Sequence, residues 1–215
     1  MSACFDCADP TRRAEGLRVA VAAVRRGELV VMPTDTVYGV AVDAFSPSAV
    51  DALLAAKGRG RDLPVPVLVA AMRTLDALAD RLPAVARALV EAFWPGALTV
   101  VCHSQPALAW DLGETRGTVA VRMPAHPLAL ELLAETGPLA VSSANRTGGS
   151  PATTATEARD ALGTSVAVYL DAGPSADSLP SSIVDVTGPR PRLLRAGALA
   201  VSRLREVAPD LEVVD

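Results

Sequence analysis

Short apolar runs recur along the whole chain, and they limit the fold more than any other feature of the sequence. Each run has five or six residues and is rich in valine, leucine and other apolar types. The runs occupy 28–32, 65–70, 98–102, 118–122, 139–143, 166–171 and 182–186. Runs of this length and composition are typical of buried β-strands. The sequence therefore predicts a sheet built from these segments.

Helical patterns fill several of the intervals between the predicted strands. The predicted helices span 11–26, 48–57, 74–80, 83–93, 127–135, 154–162 and 202–208. Asp9-Pro10 and Ser46-Pro47 supply start signals for the first two helices, and Gly27 is placed to end the first. This mixture predicts a twisted mixed sheet flanked by helices, of α/β or α+β type, rather than a sandwich or a bundle.

The size of the chain favours one folded unit. The 215 residues are 50% hydrophobic, which is enough for one sizeable core. The clusters of Pro, Gly and Ser at 143–154 and 173–182 fit loops within a domain, and no long linker is evident. We therefore predict a single compact domain.

Composition argues against several classes of protein. The net charge of -4 and the aromatic content of 3% disfavour tight, non-specific binding to nucleic acid, which uses many cations and stacking rings. No apolar run approaches the roughly 18 residues of a membrane-spanning helix, and residues 1–13 lack the apolar centre of a signal peptide. The expected location is therefore the cytoplasm.

The cysteines and histidines are too few for most metal or triad chemistry. Cys4 and Cys7 form a Cys-x-x-Cys pair, but a four-ligand zinc site would need two further partners at suitable spacing. We predict that the pair lies in a poorly ordered tail and that the chain has no metal site, with a metal or redox role as the alternative. His103 and His126 are expected to be structural or surface residues, which disfavours a histidine-based catalytic triad.

Polar groups follow the predicted strands at several points. The segment 33–36 follows one strand, Arg122 ends another, residues 142–145 end a third, and Arg195 follows a short apolar stretch. Ligands of such sheets commonly bind beyond the strand ends. The sequence therefore predicts that these ends converge on one pocket.

A glycine-rich basic segment follows the second predicted helix. Its cations are Lys57, Arg59 and Arg61, separated by Gly58 and Gly60, and this combination suits a triphosphate or pyrophosphate. A solvated basic loop is the alternative. The segment is not a Walker A loop, so a P-loop NTPase is disfavoured.

Two other polar features suit anions. Residues 142–149 offer hydroxyl and backbone donors for a phosphate or a ribose, although a simple turn before a helix cap would have the same composition. Arg122 is suited to a bidentate grip on a carboxylate, and a structural ion pair is its alternative. Trp94, in the turn Trp94-Pro95-Gly96, is expected to pack in the core.

Seven segments, in order, resemble the YrdC/Sua5 family of threonylcarbamoyl-AMP synthases. Together they cover roughly residues 15 to 198. The segments are 33–39 (PTDTVYG), Lys57-x-Arg59 with Pro64 downstream, Pro95-Gly96-x-x-Thr99, 118–124 (TVAVRMP), 143–145 (SAN), 181–185 (SSIVD) and Leu194-Arg195-x-Gly197.

The resemblance implies a YrdC-like fold, similar to that of DHBP synthase, with a central cavity that holds ATP and L-threonine together. It assigns threonine binding to Thr34, Arg122 and Ser181. It assigns ATP binding to Lys57, Arg59, Thr118, Ser143, Asn145 and Arg195, with Arg61 as an added cation and with Lys57 and Arg59 as the catalytic pair. Gly60, Ala97, Ser142 and Ala196 stand where the family often has proline, which affects loop stiffness more than chemistry.

The reaction that the resemblance implies joins L-threonine, bicarbonate and ATP with Mg²⁺, and releases threonylcarbamoyl-AMP and pyrophosphate. This is nucleotidyl transfer without a side-chain nucleophile, for the N6-threonylcarbamoyladenosine (t6A) modification of tRNA. The implied partners are a downstream transferase and at most a weak contact with tRNA, with no membrane. The implied domain limits are an extension at 1–14, a catalytic domain at 15–200 and a C-terminal helix and tail at 201–215.

Two other functions remain open at this point. One is a non-catalytic RNA-binding module of the same fold, against which the charge and the scarce aromatics count. The other is a carbamoyl-transfer domain of the hydrogenase-maturation type, whose additional acylphosphatase and zinc-binding parts have no counterpart in this sequence.

Overall fold

One mixed sheet runs through the protein, and helices pack on both of its faces. This computed structural model describes residues 2–176 and 178–213, and in those residues the sheet has eleven strands. The strands are β1 (Ala3–Asp6), β2 (Leu29–Met32), β3 (Gly39–Asp43), β4 (Val67–Leu68), β5 (Leu98–His103), β6 (Thr118–Arg122), β7 (Leu139–Ser143), β8 (Val166–Asp171), β9 (Ser182–Asp185), β10 (Arg192–Arg195) and β11 (Glu212–Val213).

The strand order is β1-β8-β2-β3-β7-β4-β6-β5-β9-β10-β11. The pairs β1–β8, β2–β8, β4–β6, β5–β9 and β10–β11 are parallel, and the others are antiparallel. The predicted mixed sheet flanked by helices is therefore confirmed.

All seven predicted helices are present. They are α1 (Pro10–Arg25), α2 (Pro47–Lys57), α3 (Arg73–Leu78), α4 (Ala84–Phe93), α5 (Pro127–Thr136), α6 (Ala155–Leu162) and α7 (Val201–Val207). The Asp9 side chain caps α1 by accepting from Arg12 N, and Ser46 caps α2 by accepting from Ala49 N. No helix in the described residues is long and apolar enough to cross a membrane.

The helices divide the core into two parts, one on each face of the sheet. On one face, α1 and α5 pack on β1, β2, β3, β4, β7 and β8 through residues such as Ala20 and Leu132. On the other face, α2, α3, α4, α6 and α7 cover a larger core that includes Leu53, Leu89 and Leu204. The larger core thus lies along most of the sheet, whereas α1 and α5 cover only part of the opposite face.

The partly covered face leaves part of the sheet open. In β6, Val119 and Val121 point into the larger core, whereas Ala120 faces a cavity. Val101 of β5 and Ile183 of β9 face the same cavity. Because side chains alternate along a strand, each of these strands supports the core with one face and the cavity with the other.

Two parts of the sheet differ from the sequence expectation. The expected tail is wrong for Ala3–Asp6, because β1 pairs with β8 and buries Phe5 in the core. The strand predicted at 65–70 is reduced to Val67–Leu68. Pro66 lacks the N–H that a sheet ladder needs, which explains why the strand does not begin at Val65.

Strands β3, β10 and β11 were not among the predicted segments. Strands β10 and β11 have only four and two residues, and β10 (RLLR) carries charge at both ends. The predicted burial of Trp94 is confirmed, since its indole is 6% exposed and its Nε1 donates to Leu98 O at 2.8 Å.

The chain beyond β10 returns closely against the start of β9. Ser182 Oγ accepts from Gly197 N at 3.1 Å and from Leu199 N at 3.2 Å, and it donates to Leu199 O at 3.0 Å. This contact holds the residues just before β9 in place.

Gly197 is predicted to be required for this close approach. A β-carbon there would lie 2.6 Å from Ser181 O and closer still to Pro180 O, and both are backbone atoms. We expect Gly197→Ala to lower the free energy of unfolding by about 1–3 kcal/mol, because overpacking forces the backbone to shift. Urea unfolding measures this. Gly188→Ala is the matched control, since its β-carbon would lie 3.7 Å from Arg190 O; equal stability of the two variants would contradict the prediction.

Candidate functional site

A cavity of about 430 Å³ lies over the open face of the sheet. Its floor is apolar and includes Leu68, Val101, Ala120, Val141 and Ile183. Leu63 and Leu194, 48% exposed each, stand at its edge. A cavity of this size is within the range that holds small molecules in proteins.

Polar side chains from separate strand ends surround this floor. The predicted convergence of strand ends is confirmed in the geometry, and six of the ten predicted site residues line the cavity. Those six are Thr34, Arg59, Arg122, Ser143, Ser181 and Arg195.

Arg122 is the most buried of the cavity's charged groups. It ends β6, is 6% exposed, and donates hydrogen bonds to two other segments of the chain. Its Nε donates to Gly96 O at 2.9 Å, its Nη1 to Thr36 Oγ1 at 2.9 Å, and its Nη2 to Asp35 Oδ1 at 2.7 Å. Burial lowers the pKa of Arg122, and the Asp35 carboxylate opposes that shift.

These bonds leave part of the guanidinium available for a ligand. A guanidinium has five N–H groups, and the three bonds to the described residues use three of them. The remaining two are on different terminal nitrogens. Two N–H groups in one plane match the two oxygens of a carboxylate.

The Thr34 hydroxyl is already engaged by its own loop. Its Oγ1 donates to Val37 O at 2.6 Å, accepts from Thr36 N at 3.2 Å and lies 3.0 Å from Thr36 Oγ1. Thr34 therefore shapes the loop after β2 while it lines the cavity.

Arg59 and Arg195 place two more positive charges in the same cavity. Arg59 donates from Nε to Leu63 O at 2.7 Å and from Nη1 to Ser142 Oγ at 3.3 Å. Arg195 donates to Ser181 O at 2.9 Å and to Ser181 Oγ at 3.1 Å. Ser181 Oγ is also 2.8 Å from Thr99 Oγ1, so the hydroxyl at the start of β9 is held on two sides.

The charges of Arg122 and Arg59 repel that of Arg195 across the cavity. Burial lowers the pKa of Arg195, and the charges of Arg122 and Arg59 lower it further. Burial also lowers the pKa of Arg59. Asp35 is paired with Arg122, whereas neither Arg59 nor Arg195 has a carboxylate within 4.0 Å in the described residues. The cavity therefore has an excess of positive charge and is suited to an anion.

Lys57 lies beneath the cavity rather than along its wall. It is 3% exposed, and its Nζ donates to Ser143 O at 2.5 Å and to Asn145 O at 2.6 Å. The Asn145 amide donates to Arg146 O and Gly149 O, while its Oδ1 is buried and has no hydrogen-bond partner among the residues that the structure describes. Lys57 thus holds the turn after β7 from below.

Arg61 and Thr118 also lie outside the cavity lining. Arg61 belongs to the glycine-rich basic segment at 57–61, called the basic loop from here on. It forms ion pairs with Asp51 and Asp111 on the outside of this loop. The Thr118 hydroxyl donates to Thr115 O at 2.7 Å, at the other end of β6 from Arg122.

Four polar contacts of the site were not assigned from the sequence. Asp35 and Thr36 bind Arg122, Thr99 contacts Ser181, and Ser142 accepts from Arg59. All four lie within or beside the quoted motifs, so position next to an assigned residue was the available signal. Their roles depend on which long side chain reaches them, which spacing along the chain does not reveal.

The cysteines and histidines have ordinary surroundings. Cys4 is exposed, while Cys7 and Cys102 are buried, and all three are free thiols. The described residues contain no group of three or more His, Cys, Asp or Glu side chains that could hold a metal ion. His126 Nδ1 accepts from Leu128 N at the start of α5, which is a structural role.

The burial of Lys57 predicts a pH effect on stability. Burial and the charge of Arg59 lower its pKa from 10.5 to about 8. Between these two values the unfolded chain binds more protons than the folded chain, so folding is favoured more strongly as the pH rises. We expect the stability of the wild type, relative to Lys57→Met, to increase from pH 7.5 to pH 10 in chemical denaturation. Arg61→Met is the control, since arginine keeps its charge in this interval; parallel profiles for wild type and Lys57→Met would refute the effect.

The chain was compared with known families and proteins. Residues 22–197 match the model of the Sua5, YciO and YrdC family, which is described as telomere recombination. A Mycobacterium tuberculosis protein with the provisional name threonylcarbamoyl-AMP synthase is 56% identical over 207 residues, which are 96% of this chain and 95% of the relative.

Solved structures of Pyrococcus abyssi Sua5 have the same fold. A doubly substituted variant superposes with a TM-score of 0.94 and 32% identity, covering 100% of this chain and 62% of that chain. The structure of P. abyssi Sua5 in complex with L-threonine has a TM-score of 0.89 and 34% identity, covering 92% of this chain and 58% of that chain. This chain therefore spans less than two thirds of the length of the P. abyssi protein.

The resemblance drawn from the seven motifs is thus confirmed by the whole sequence and by the fold. The match covers most of the chain, and the identities to the relatives extend beyond the motifs. The chain belongs to the Sua5/YciO/YrdC family.

Proposed function

We propose that this chain is a threonylcarbamoyl-AMP synthase. It would join L-threonine, bicarbonate and ATP and release threonylcarbamoyl-AMP and pyrophosphate. The observation that carries the proposal is that Arg122, with two N–H groups left that suit a carboxylate, lines the same cavity as Arg59 and Arg195, whose charges suit phosphate. The names of the mycobacterial and P. abyssi relatives support the same reaction.

The amino acid would bind at the Arg122 end of the cavity. The two N–H groups that Arg122 has left would hold the threonine carboxylate, and the bonds to Gly96, Thr36 and Asp35 would fix their direction. Thr34 would contact the same substrate from the loop after β2, and Ser181 would close over it. This arrangement would point the amine towards the phosphate end.

The nucleotide would bind at the end formed by the basic loop and the turn after β7. Arg59 and Arg195 would contact phosphate oxygens, together with the hydroxyl of Ser143. Lys57 and Asn145 would act beside them, since Lys57 holds the turn that carries Ser143. The assignment of Thr118 to ATP remains a prediction from the sequence, whereas Arg61 pairs with Asp51 and Asp111 outside the cavity and we do not place it on ATP.

The donor set at this end also fits Mg²⁺ brought in with ATP. Asp35 is paired with Arg122, but Asn145 Oδ1 is buried and accepts from no donor in the described part of the chain, and the hydroxyl of Ser143 belongs to the same turn. Mg²⁺ commonly uses one or two protein oxygens and completes its shell with substrate phosphates and water. Asn145 and Ser143 would hold such an ion, which would neutralise phosphate charge.

The chemistry needs positioning more than reactive side chains. The threonine amine would combine with bicarbonate to give a carbamate and water. A carbamate oxygen would then attack the α-phosphorus of ATP, and pyrophosphate would leave as the bond to the β-phosphate breaks. Holding the two substrates in one cavity removes much of the entropic barrier, and the guanidinium groups stabilise the charge that develops on phosphate.

The product is an activated acyl phosphate, so a second protein must consume it. We propose that a transferase moves the threonylcarbamoyl group to an adenosine of tRNA to give t6A. Any contact of this chain with the tRNA itself would be weak, because its net charge is -4.

Pyrophosphate release is the direct test of this function. The purified chain is supplied with ATP, Mg²⁺, threonine and bicarbonate in degassed buffer, and each substrate is omitted in turn. We expect release to require both threonine and bicarbonate, and mass spectrometry should detect threonylcarbamoyl-AMP. Release that continues without threonine would exclude the proposed reaction. RNA binding without ATP turnover would instead favour a non-catalytic RNA-binding module of the same fold.

The two arginines of the basic loop are predicted to differ in their effect on ATP. Arg59→Ala should raise the Kd for ATP at least about tenfold, because a hydrogen bond to a charged group contributes roughly 1.5–3 kcal/mol. Arg61→Ala should change it less than about twofold, since Arg61 pairs with exposed carboxylates outside the cavity. Calorimetric titration with ATP measures both. Equal losses would mean that the basic loop binds ATP in a different arrangement.

A further inference from the structure

We infer that Asp35 is a positioning residue that sets the direction of the Arg122 guanidinium for the amino-acid carboxylate. The inference rests on the proposed function, because it needs a carboxylate ligand at Arg122. Asp35 does not itself line the cavity, so it would act through Arg122 rather than by touching the substrate.

The contacts of Asp35 tie two loops together. A single oxygen, Oδ1, accepts from Arg122 Nη2 at 2.7 Å and from Ala125 N at 2.8 Å. Asp35 lies in the loop after β2, and Ala125 lies in the loop after β6. The carboxylate therefore joins these loops at the place where Arg122 leaves its strand.

Asp35 is the charged member of the set of acceptors around Arg122. The other two, Gly96 O and Thr36 Oγ1, are neutral. Neutral acceptors can direct the N–H groups, but they offset little of the cost of a buried charge. Without the carboxylate, the guanidinium would gain by moving towards solvent, and its free N–H groups would no longer point into the cavity in a fixed direction.

The negative charge of Asp35 should oppose the binding of a nucleotide, whereas it supports the binding of threonine through Arg122. Arg59, Arg122 and Arg195 attract phosphate, whereas the negative charge of Asp35 reduces the positive potential of the cavity. Removal of that charge should weaken the grip on the threonine carboxylate while it leaves the attraction for ATP intact or increased. A purely structural role would weaken both ligands together.

The test uses Asp35→Asn in the full chain. Asparagine keeps an oxygen that can accept from Ala125 N and Arg122, but it removes the charge. Calorimetry measures the Kd for L-threonine and for ATP separately, with bicarbonate omitted so that no reaction occurs. We expect the threonine Kd to rise at least about tenfold, while the ATP Kd stays within about twofold or falls.

A buried acid of the same kind provides the control. Asp185 is 5% exposed and pairs with Arg192 at 2.6 Å, and its Oδ1 accepts from Thr187 N at 2.9 Å, but it does not line the cavity. Asp185→Asn should lower the Tm without separating the two affinities.

Several outcomes would overturn the role of Asp35. Unchanged threonine affinity in Asp35→Asn, or equal losses for threonine and ATP, would do so. If Asp35→Asn does not fold, Asp35→Glu keeps the charge one methylene away. It should weaken threonine binding less than tenfold, and a larger loss would count against the charge. A wild-type chain that binds neither ligand would refute the proposed function itself, whatever Asp35 does.

Discussion

The burial of one positive charge, that of Arg122, is the constraint on which the cavity over β5, β6 and β9 depends. A guanidinium that is 6% exposed costs several kcal/mol unless acceptors surround it. The chain supplies these acceptors from the loop after β2 and from Gly96, just before β5. Consequently, the hydrogen bonds that offset the cost of burying Arg122 also fix the direction of its guanidinium group. The helices leave this face of β5, β6 and β9 uncovered, so the charge borders a cavity rather than a sealed core.

Much of the fold could be predicted because its signals are local. The strands at 118–122, 139–143 and 166–171 were predicted with the bounds that the structure has, since valine-rich runs and flanking turn residues identify them. The strand β1 could not be predicted, because a four-residue segment becomes a strand only by pairing with β8 far along the chain. Partners that are distant in sequence decide such edge strands.

The site was predicted less completely, because long side chains choose partners from other segments. The basic loop carries a cation at every second position, Lys57, Arg59 and Arg61. Their side chains nevertheless have three different surroundings. Lys57 points beneath the turn after β7, Arg59 enters the cavity, and Arg61 turns outwards. The end of α2 is held by residues 143–147, and Asp51 and Asp111 attract Arg61. No spacing within the loop contains that information, whereas the convergence could be predicted because polar groups follow several of the apolar runs.

The contact between the end of α2 and the turn after β7 determines how far a change at Lys57 would spread. Lys57 donates from Nζ to Ser143 O and Asn145 O, and its own carbonyl accepts from Thr147 N at 2.8 Å. Three bonds on one residue tie the end of α2 to this turn, so the basic loop and the residues around Ser143 share one anchor. Loss of that anchor would disturb both segments at once, although Lys57 itself does not line the cavity.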